Sequence, residues 1–446
     1  MSSITDVLRR FKQNWTEELS PHSIAQVCRD AGMKWYGSAL NPVVTIQIFF
    51  VQILHGNTAC EHLSHLTGLS FTAAAYCKAR MRVNLEAFHL LLQRCVAGLQ
   101  QETFGPACWL GHRVFHVDGS SFSMPDTPQL QAHFGQQGQQ KPGCGFPTAH
   151  WLVMLHAGTG MITKMLAAPL RTHDMARVAE VHPELRAGDI LVADRGFCSY
   201  AHLALLWQRG VHGLFRIHQR TIVDFTPGRA YVHPCQGKAD RKQGKPRSRW
   251  IKQLDKNDQI VEWLKSPNRP QWMSEQQYAV LPASIVVREL RYTIHEKGFR
   301  PKKITLVTTL LDAQSYTICD LAKLYKQRWE IETNFAHLKT TMKMDVLKCQ
   351  TVDGVLRELQ VFALIYNMVR QVMLAAASRQ GVDVNRISFI DALRWLQSAS
   401  PGDGLPKLVV NPLRTNRIEP RVRKRRPKQY PLMNKPRKQL KKELEN

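Results

Sequence analysis

The sequence predicts an α/β fold split by an insertion: an all-helical segment at the N-terminus, an α/β domain interrupted by a β-rich stretch, and a basic tail at the C-terminus. Three observations carry that reading. The chain has 446 residues, 44% of them hydrophobic and 22% charged, which supplies several cores and excludes wholesale disorder. The apolar period switches from helical to strand-like near Arg113 and turns helical again after Thr317. Sixty-one Lys and Arg against 35 Asp and Glu leave a net charge of +26, which implies a polyanionic partner, nucleic acid first and an anionic membrane surface second.

Residues 1–105 read as helices. In TACEHLSHLTGLSFTAAAYCKARMRVNLEAFHLLLQ the helical spacing breaks at Gly68, and Ser70 or Thr72 is placed to cap the next helix. A helix, a Gly-containing turn and a second helix bearing Lys78, Arg80 and Arg82 outline a DNA-binding helix-turn-helix, although any helical bundle with a basic exposed face reads the same way. From 106 to 218 the runs RVFHVDG, HWLVMLHAGTG, MITKMLAAPL and DILVADRG read as strands. A helix-like segment at 174–185 precedes the fourth, and AHLALLWQRG and VHGLFRI continue as helix and strand, the alternation of an α/β sheet. Residues 219–303, with Pro, Gly and Lys/Arg clusters and then the alternating ASIVVRELRYTI, read as a β-rich insertion. From 304 to 400 a buried strand, ITLVTTL, and a helical stretch at 318–342 complete the interrupted domain. The rest, 401–446, is a tail in which residues 411–446 hold 13 Lys or Arg against three Glu, a net +10. RVRKRRPKQY packs no core, so the tail is expected to be flexible and to bind phosphates.

Other classes are disfavoured by pattern. The apolar runs at 43–54 and 361–377 are broken by Gln47 and Gln52 and by Asn367 and Arg370, so neither offers about 20 unbroken residues to a bilayer. The opening MSSITDVLRRFKQNWTEELS lacks the apolar core and cleavage site of a secretory signal, which leads us to expect a cytoplasmic protein. Ten cysteines without a C-x-x-C pair fit reduced thiols there. Cys60, His62 and His65 cluster without the paired spacing of structural zinc.

Chemistry is expected at three carboxylates. Asp118 ends the strand RVFHVD and Asp194 ends DILVAD, so both stand at the carboxyl edge of the sheet, where open α/β folds build sites. Each also suits a cap of the turn behind it. In LAKLYKQRWEIETNFAHLKTTMK, Tyr325, Arg328, Glu332 and Lys339 fall within an arc of about 60°. They border the apolar stripe of Leu324, Ile331, Phe335, Leu338 and Met342, where a side chain is half enclosed. Glu330 points about 120° away from Glu332 by the same count and is expected in solvent. Carboxylates gathered from distant segments repel unless cations lie between them. A pair of Mg²⁺ ions, with Mn²⁺ as substitute, resolves this through Asp118, Asp194 and Glu332 as ligands, and such a pair supports in-line displacement at phosphorus by water or a 3′-hydroxyl. Arg328 and Lys339 are then placed to hold flanking phosphates, and Tyr325 to donate a hydrogen bond or pack on a sugar.

At this point the sequence resembles a family. Tyr325-x2-Arg328-x3-Glu332-x6-Lys339 reproduces the Tyr-Arg-Glu-Lys signature of the insertion sequence 4 group of DDE transposases. VDGSSFSMPDTPQLQAHFG resembles that group's first aspartate segment and LVADRGFCSY its second. The resemblance, over about residues 20–400, implies a ribonuclease H-like catalytic domain with the first Asp on the first strand, the second after the fourth, and the Glu on a late helix. It implies a β-rich insertion in the 138 residues (332 minus 194) between Asp194 and Glu332. In function it implies a cut-and-paste DNA transposase that binds the terminal inverted repeats of a mobile element. Such an enzyme pairs the ends as a homodimer, cleaves them and joins the 3′-hydroxyls to target DNA, working on the nucleoid in a bacterial cytoplasm. A stand-alone metal-dependent nuclease shares this chemistry, and a catalytically silent DNA-binding regulator is the reading from another class.

Several further residues have roles to weigh. KADRKQGKPRSRW, with Arg247, Arg249 and Trp250, has basic residues beside an aromatic, a pattern that tracks a DNA backbone and stacks an unpaired base. Relatives that cut through a hairpin hold a flipped base on an aromatic of the insertion; Trp250, Trp263 and Trp272 are candidates between which no motif chooses. Asp126, His112 and His116 read as structural, and His173 and Asp174 as caps.

Overall fold

Short polar residues followed by proline start the first helices. Ser20 and Asn41 each accept a hydrogen bond from the amide three residues on, with Pro21 and Pro42 in the first turn, so α1 (Pro21–Asp30) and α2 (Pro42–Leu54) begin at a cap. After α3 (Leu63–Thr67) the chain turns at Gly68, whose φ of 69° is left-handed, and Thr72 caps α4 (Ala73–Arg82), ahead of α5 (Leu85–Ala97). The computed structural model describes residues 19–97, 108–138, 140–170, 172, 174–234, 244–295, 302–398, 404–413 and 433–445, so the expected boundary at 105 and His173 lie outside the described residues. The apolar faces of these helices do not close on themselves. Val27, Phe50, Phe88 and Leu91 belong to one continuous core with Trp151 and Phe362 of the α/β part.

The strands form one sheet. β1 (Val114–Ser123), β2 (Thr148–His156) and β3 (Ile162–Pro169) make an antiparallel meander, with α6 (Pro128–Phe134) between the first two. α7 (Asp174–Arg177) and a 3-10 helix (Val178–Glu184) lead to β4 (Ile190–Ala193), and α8 (Tyr200–Gln208) leads to β5 (His212–Arg216). β4 lies parallel to β1, and β5 parallel to β4. The inserted segment adds β6 (Arg249–Asp255), β7 (Asp258–Leu264), α9 (Glu275–Ala279) and β8 (Ser284–Ile294). β9 (Lys302–Thr308) pairs antiparallel with both β5 and β8, so nine strands run in the order β3-β2-β1-β4-β5-β9-β8-β7-β6. The insertion therefore extends the central sheet through β9. A fully buried pair holds it: Arg288 on β8 donates to Asp258 on β7 through Nε at 2.8 Å and Nη2 at 2.5 Å.

The sheet's two faces are covered differently, following the strand period of two. Phe115, Val117, Leu191 and Ala193 pack on the side of α8 and the insertion. On the other side, Val114, Ile190 and Val192 pack with Leu321, Leu324 and Tyr325 of α10 (Ile318–Gln327). Here too lies α12 (Val352–Gln380), joined by α11 (Glu330–Ala336) and followed by α13 (Phe389–Ser398). Two expectations are corrected. The stretch 318–342 is not one α-helix: i→i+3 bonds tighten it at Arg328–Glu332, and a π-helical turn follows at His337–Thr341. The tail is not without structure: α14 (Arg437–Glu445) lies against the β1–β2 connection, where Arg437 pairs with Asp126 at 3.0 Å and stacks 3.8 Å from the Phe146 ring. Residues 414–432 lie outside the described residues.

Among the described residues one helix, α12, is long and apolar enough to cross a membrane by length and composition, but 72% of its most apolar window is buried inside the protein. Its polar side chains explain the break in its apolar run. Asn367, fully buried, accepts from the Ile162 amide and donates to the Ile162 carbonyl, each at 2.8 Å, so it completes the outer edge of β3 as a further strand would. Asn367→Leu leaves both groups unpaired at about 1–3 kcal/mol each. We expect a loss of roughly 2–4 kcal/mol in urea unfolding, whereas an unchanged midpoint would mean water replaces the amide.

Candidate active site

Strand register brings the two aspartates together. The β1–β4 ladder runs from Val114↔Ile190 to Val117↔Ala193, so Asp118 and Asp194 each follow the last paired residue, and the Asp194 backbone is extended. Adjacent strands are about 4.8 Å apart, and both residues fall on the face that carries Val114, His116, Ile190 and Val192. Asp118 Oδ1 accepts from the Gly119 amide at 2.9 Å, and Asp194 Oδ1 accepts from the Gly196 amide at 2.6 Å as the cap of a 3-10 turn. Asp194 thus follows its strand and caps the turn behind it, whereas the expectation for Asp118 is corrected: it does not end its strand but lies within β1, which β2 pairs on to Ser123.

The tightened helix supplies the cation. Arg328 Nη1 donates to Asp118 Oδ2 at 3.1 Å, and Nη2 lies 4.0 Å from Glu332 Oε1. The guanidinium is nearly buried, at 9% side-chain exposure, while Asp118 is 22% and Glu332 52% exposed. Its centre lies 5.7 Å from both the Tyr325 and the Trp329 rings. Burial pushes the Tyr325 phenol above its ordinary range; Arg328, to which it is hydrogen-bonded, opposes this, and the charge of Asp194 adds to it. Tyr325 therefore lies within reach of both the Arg328 charge and Asp194. In the π-helical turn, Lys339 Nζ donates to Ser120 Oγ at 3.2 Å, two residues along β1 from Asp118. Arg328 and Lys339 thus address the same face of one strand.

A divalent ion can be weighed against this donor set. Three carboxylates, with no thiolate or imidazole among them, suit a hard cation such as Mg²⁺. Among the described residues, however, no three acidic, His or Cys side chains stand together at metal-holding distance, and Arg328 lies between Asp118 and Glu332. Arg328 Nε is buried with no hydrogen-bond partner, a donor aimed at an acceptor that the protein itself does not provide. His116, two residues before Asp118, is buried and its pKa falls to about 3, chiefly by desolvation and then by repulsion from Arg328, so it stays neutral.

Other expected residues are placed variously. Lys78 and Arg82 are exposed on α4, but Arg80 turns inward, over the Phe49 ring at 4.7 Å and onto Gln52 Oε1 at 3.0 Å, because that face of α4 packs on α2. This corrects its assignment to an outward basic face. In the insertion, Arg247 is exposed and Arg249 pairs with Glu262. Trp250 Nε1 donates to Gln253 and Trp263 Nε1 to Glu289, while Trp272 packs on the core, so none of the three stands free. β6, with Arg249 and Trp250, is six strand places from β1, roughly 29 Å along the sheet at 4.8 Å per strand. Residues 235–243, which include part of the basic cluster, lie outside the described residues. Ser120 and the half-exposed Trp329 went unremarked in the sequence. Ser120 follows from the strand period, two residues beyond Asp118, and Trp329 from its place directly after Arg328.

Glu330 corrects another expectation. It is not solvated: Oε2 accepts from Asn385 Nδ2 at 2.9 Å, and burial, with the nearby Asp383 charge, pushes its pKa up to about 7 against the pull of Arg370.

Comparisons with known proteins follow the same residues. A family model described as Transposase DDE domain matches residues 109–368. The chain is 25% identical over 378 residues to the "Transposase InsG for insertion sequence element IS4" of Escherichia coli (strain K12), covering 80% of this chain and 78% of that one. It is 23% identical over 138 residues to the "Putative transposase InsZ" of the same organism, 31% of this chain and 46% of the relative. Among solved structures, a piggyBac transposase synaptic complex with hairpin DNA aligns with a TM-score of 0.44 at 11% identity over 89% of this chain and 80% of that one, a likeness too loose to bear on mechanism.

The raised pKa of Glu330 has a testable sign. The folded state holds this proton more tightly than the unfolded chain, so the stability it contributes is complete below about 4.5 and is lost as pH rises through about 7. Glu330→Gln is expected to leave stability unchanged at pH 4.5 and to raise it by on the order of 1–2 kcal/mol at pH 8. Melting curves at the two pH values check this; an equal shift at both would contradict it.

Proposed function

The chain belongs to the DDE transposases of the insertion sequence 4 group, and from that membership we propose that it is a cut-and-paste enzyme. It binds the terminal inverted repeats of a mobile element, cleaves the DNA at both ends and joins the freed 3′-hydroxyls to target DNA. The observation that carries this reading is the contact of Arg328 with Asp118 and Glu332, and the β1–β4 ladder, which ends one residue before Asp118 and Asp194, supports adding Asp194 to them. The antiparallel β1-β2-β3 meander followed by β4 and β5 in parallel supports a ribonuclease H-like catalytic unit. The two bacterial relatives support work on DNA in a bacterial cytoplasm, at the nucleoid, and pairing of two element ends favours a homodimer.

Asp118, Asp194 and Glu332 are the residues to hold two Mg²⁺ ions, or Mn²⁺ in their place. When bound, these ions supply activation of the attacking oxygen and stabilisation of the leaving one. The chain's own groups do the rest. Arg328 neutralises the carboxylates and offers its unpartnered Nε to a phosphate oxygen. Lys339, held at Ser120, adds a point charge beside it. The Tyr325 phenol is protonated at neutral pH, as any phenol is and the more so for its burial, so it has a hydrogen to donate. Lys78, Arg82 and Arg247 offer exposed charge to the duplex away from the site.

Two measurements test this. On duplexes carrying the native ends, the protein is expected to cleave and join strands with Mg²⁺, and Asp118→Ala, Asp194→Ala and Glu332→Ala each to fall to background. Activity equal to the parent in any of the three would remove that residue from the site, and hydrolysis without joined product would mark a nuclease. Binding is expected to weaken steeply with salt, by about 0.9 in the log–log slope per phosphate neutralised. Deleting 413–446 should flatten that slope while keeping the preference for end sequence; an unchanged slope would show that the tail does not touch DNA.

A further inference from the structure

A second cationic site lies away from the carboxylates. A cavity of about 390 Å³ opens between the N-terminal helices and the start of α12, with Arg80, Lys348 and Arg357 on its walls beside Cys60 and Cys77. Among the described residues no carboxylate lies within 4 Å of the Arg80 guanidinium. Its hydrogen bonds go to Gln52 Oε1 at 3.0 Å and Cys77 Sγ at 4.0 Å, and it lies 4.7 Å and 5.1 Å from the Phe49 and Tyr76 ring centres. Arg357 meets Asp353 at 3.7 Å, but that carboxylate is 74% exposed, and the Arg357 Nε is buried with no partner. Lys348 Nζ donates to the Asn57 carbonyl, so the ammonium has no acidic partner among the described residues. Thr351 and Gly354, at the N-terminal turn of α12, complete the wall and aim the positive end of a 29-residue helix at it.

Against these three cations stand two carboxylates, exposed Asp353 and buried Glu358, the latter accepting from Asn57 and from the Lys348 and Cys349 amides, so one positive charge and the helix start remain for a bound anion to satisfy. We propose that this cavity is a phosphate-binding pocket and that the phosphate it takes is one of the DNA backbone. The choice of DNA as the source rests on the transposase reading, while the phosphate chemistry does not. Occupancy would pin the duplex against the seam between the N-terminal helices and α12, separate from the contacts of Arg328 and Lys339. The mainly apolar remainder of the wall, including Phe49 and Met81, suits the sugar next to a phosphate.

Cys60 and Cys77, whose sulfurs are 3.7 Å apart on that wall, report occupancy directly. The experiment follows maleimide modification of each thiol in the full-length protein by mass spectrometry, with end-carrying duplex DNA, with inorganic phosphate, or with neither, alongside a gel shift. At about ten times its dissociation constant a ligand leaves about one molecule in eleven open, so modification is expected to slow about tenfold. The double variant Arg357→Gln with Lys348→Gln should abolish that slowing while it keeps the parent circular dichroism spectrum. Slowing by DNA supports a backbone phosphate. Slowing by inorganic phosphate alone, with DNA bound in the gel shift, supports the pocket and overturns DNA as its source, leaving the transposase reading intact. Thiols equally reactive under all three conditions overturn the pocket.

Discussion

The arrangement of the candidate site turns on one buried cation, Arg328, set against an acidic side chain from a distant strand and one from its own helix. The Arg328 guanidinium touches Asp118 and faces Glu332, and its burial under Tyr325 and Trp329 keeps it there. The tightened i→i+3 turn at Arg328–Glu332 and the π-helical turn around Lys339 each re-aim a side chain that a regular helix would place by 100° steps.

The rest of the chain is built to hold that edge still. β1 has neighbours on both sides, and Asn367 closes the outermost strand of its meander. A fully buried Glu358 on α12 accepts from Asn57 in the N-terminal part and from the amides of Lys348 and Cys349. The helical segment, the start of α12 and the sheet are therefore tied by buried polar bonds as well as by a shared core.

Much of this was legible in the sequence because it follows from period and chemistry. Alternation located β1 and β4, the end of β4 located Asp194, and the spacing of Tyr325, Arg328, Glu332 and Lys339 carried the family, whereas Asp118 sits within a β1 that β2 prolongs to Ser123. What escaped depended on contacts between distant segments. Arg80 looked like an outward cation because the sequence does not record that α4 rests on Phe49. Glu330 looked solvated because Asn385, 55 residues on, is not a helix neighbour. The strand-rich insertion was visible, but its union with the central sheet was not, since that depends on β9 pairing on both edges. The C-terminal helix hid behind a charge run whose local composition favours solvent, and Asp126 at the far end of the chain anchors it.

The central proposal is that Asp118, Asp194 and Glu332 form a single divalent-cation site beside Arg328. Mn²⁺ binding to the full-length protein, followed by electron paramagnetic resonance, addresses it without relying on activity. The expected result is about two ions per chain, with binding weakened in Asp118→Asn, in Asp194→Asn and in Glu332→Gln, and tightened in Arg328→Gln, where the competing guanidinium is gone. Mn²⁺ held as tightly by all three carboxylate variants as by the parent would contradict it.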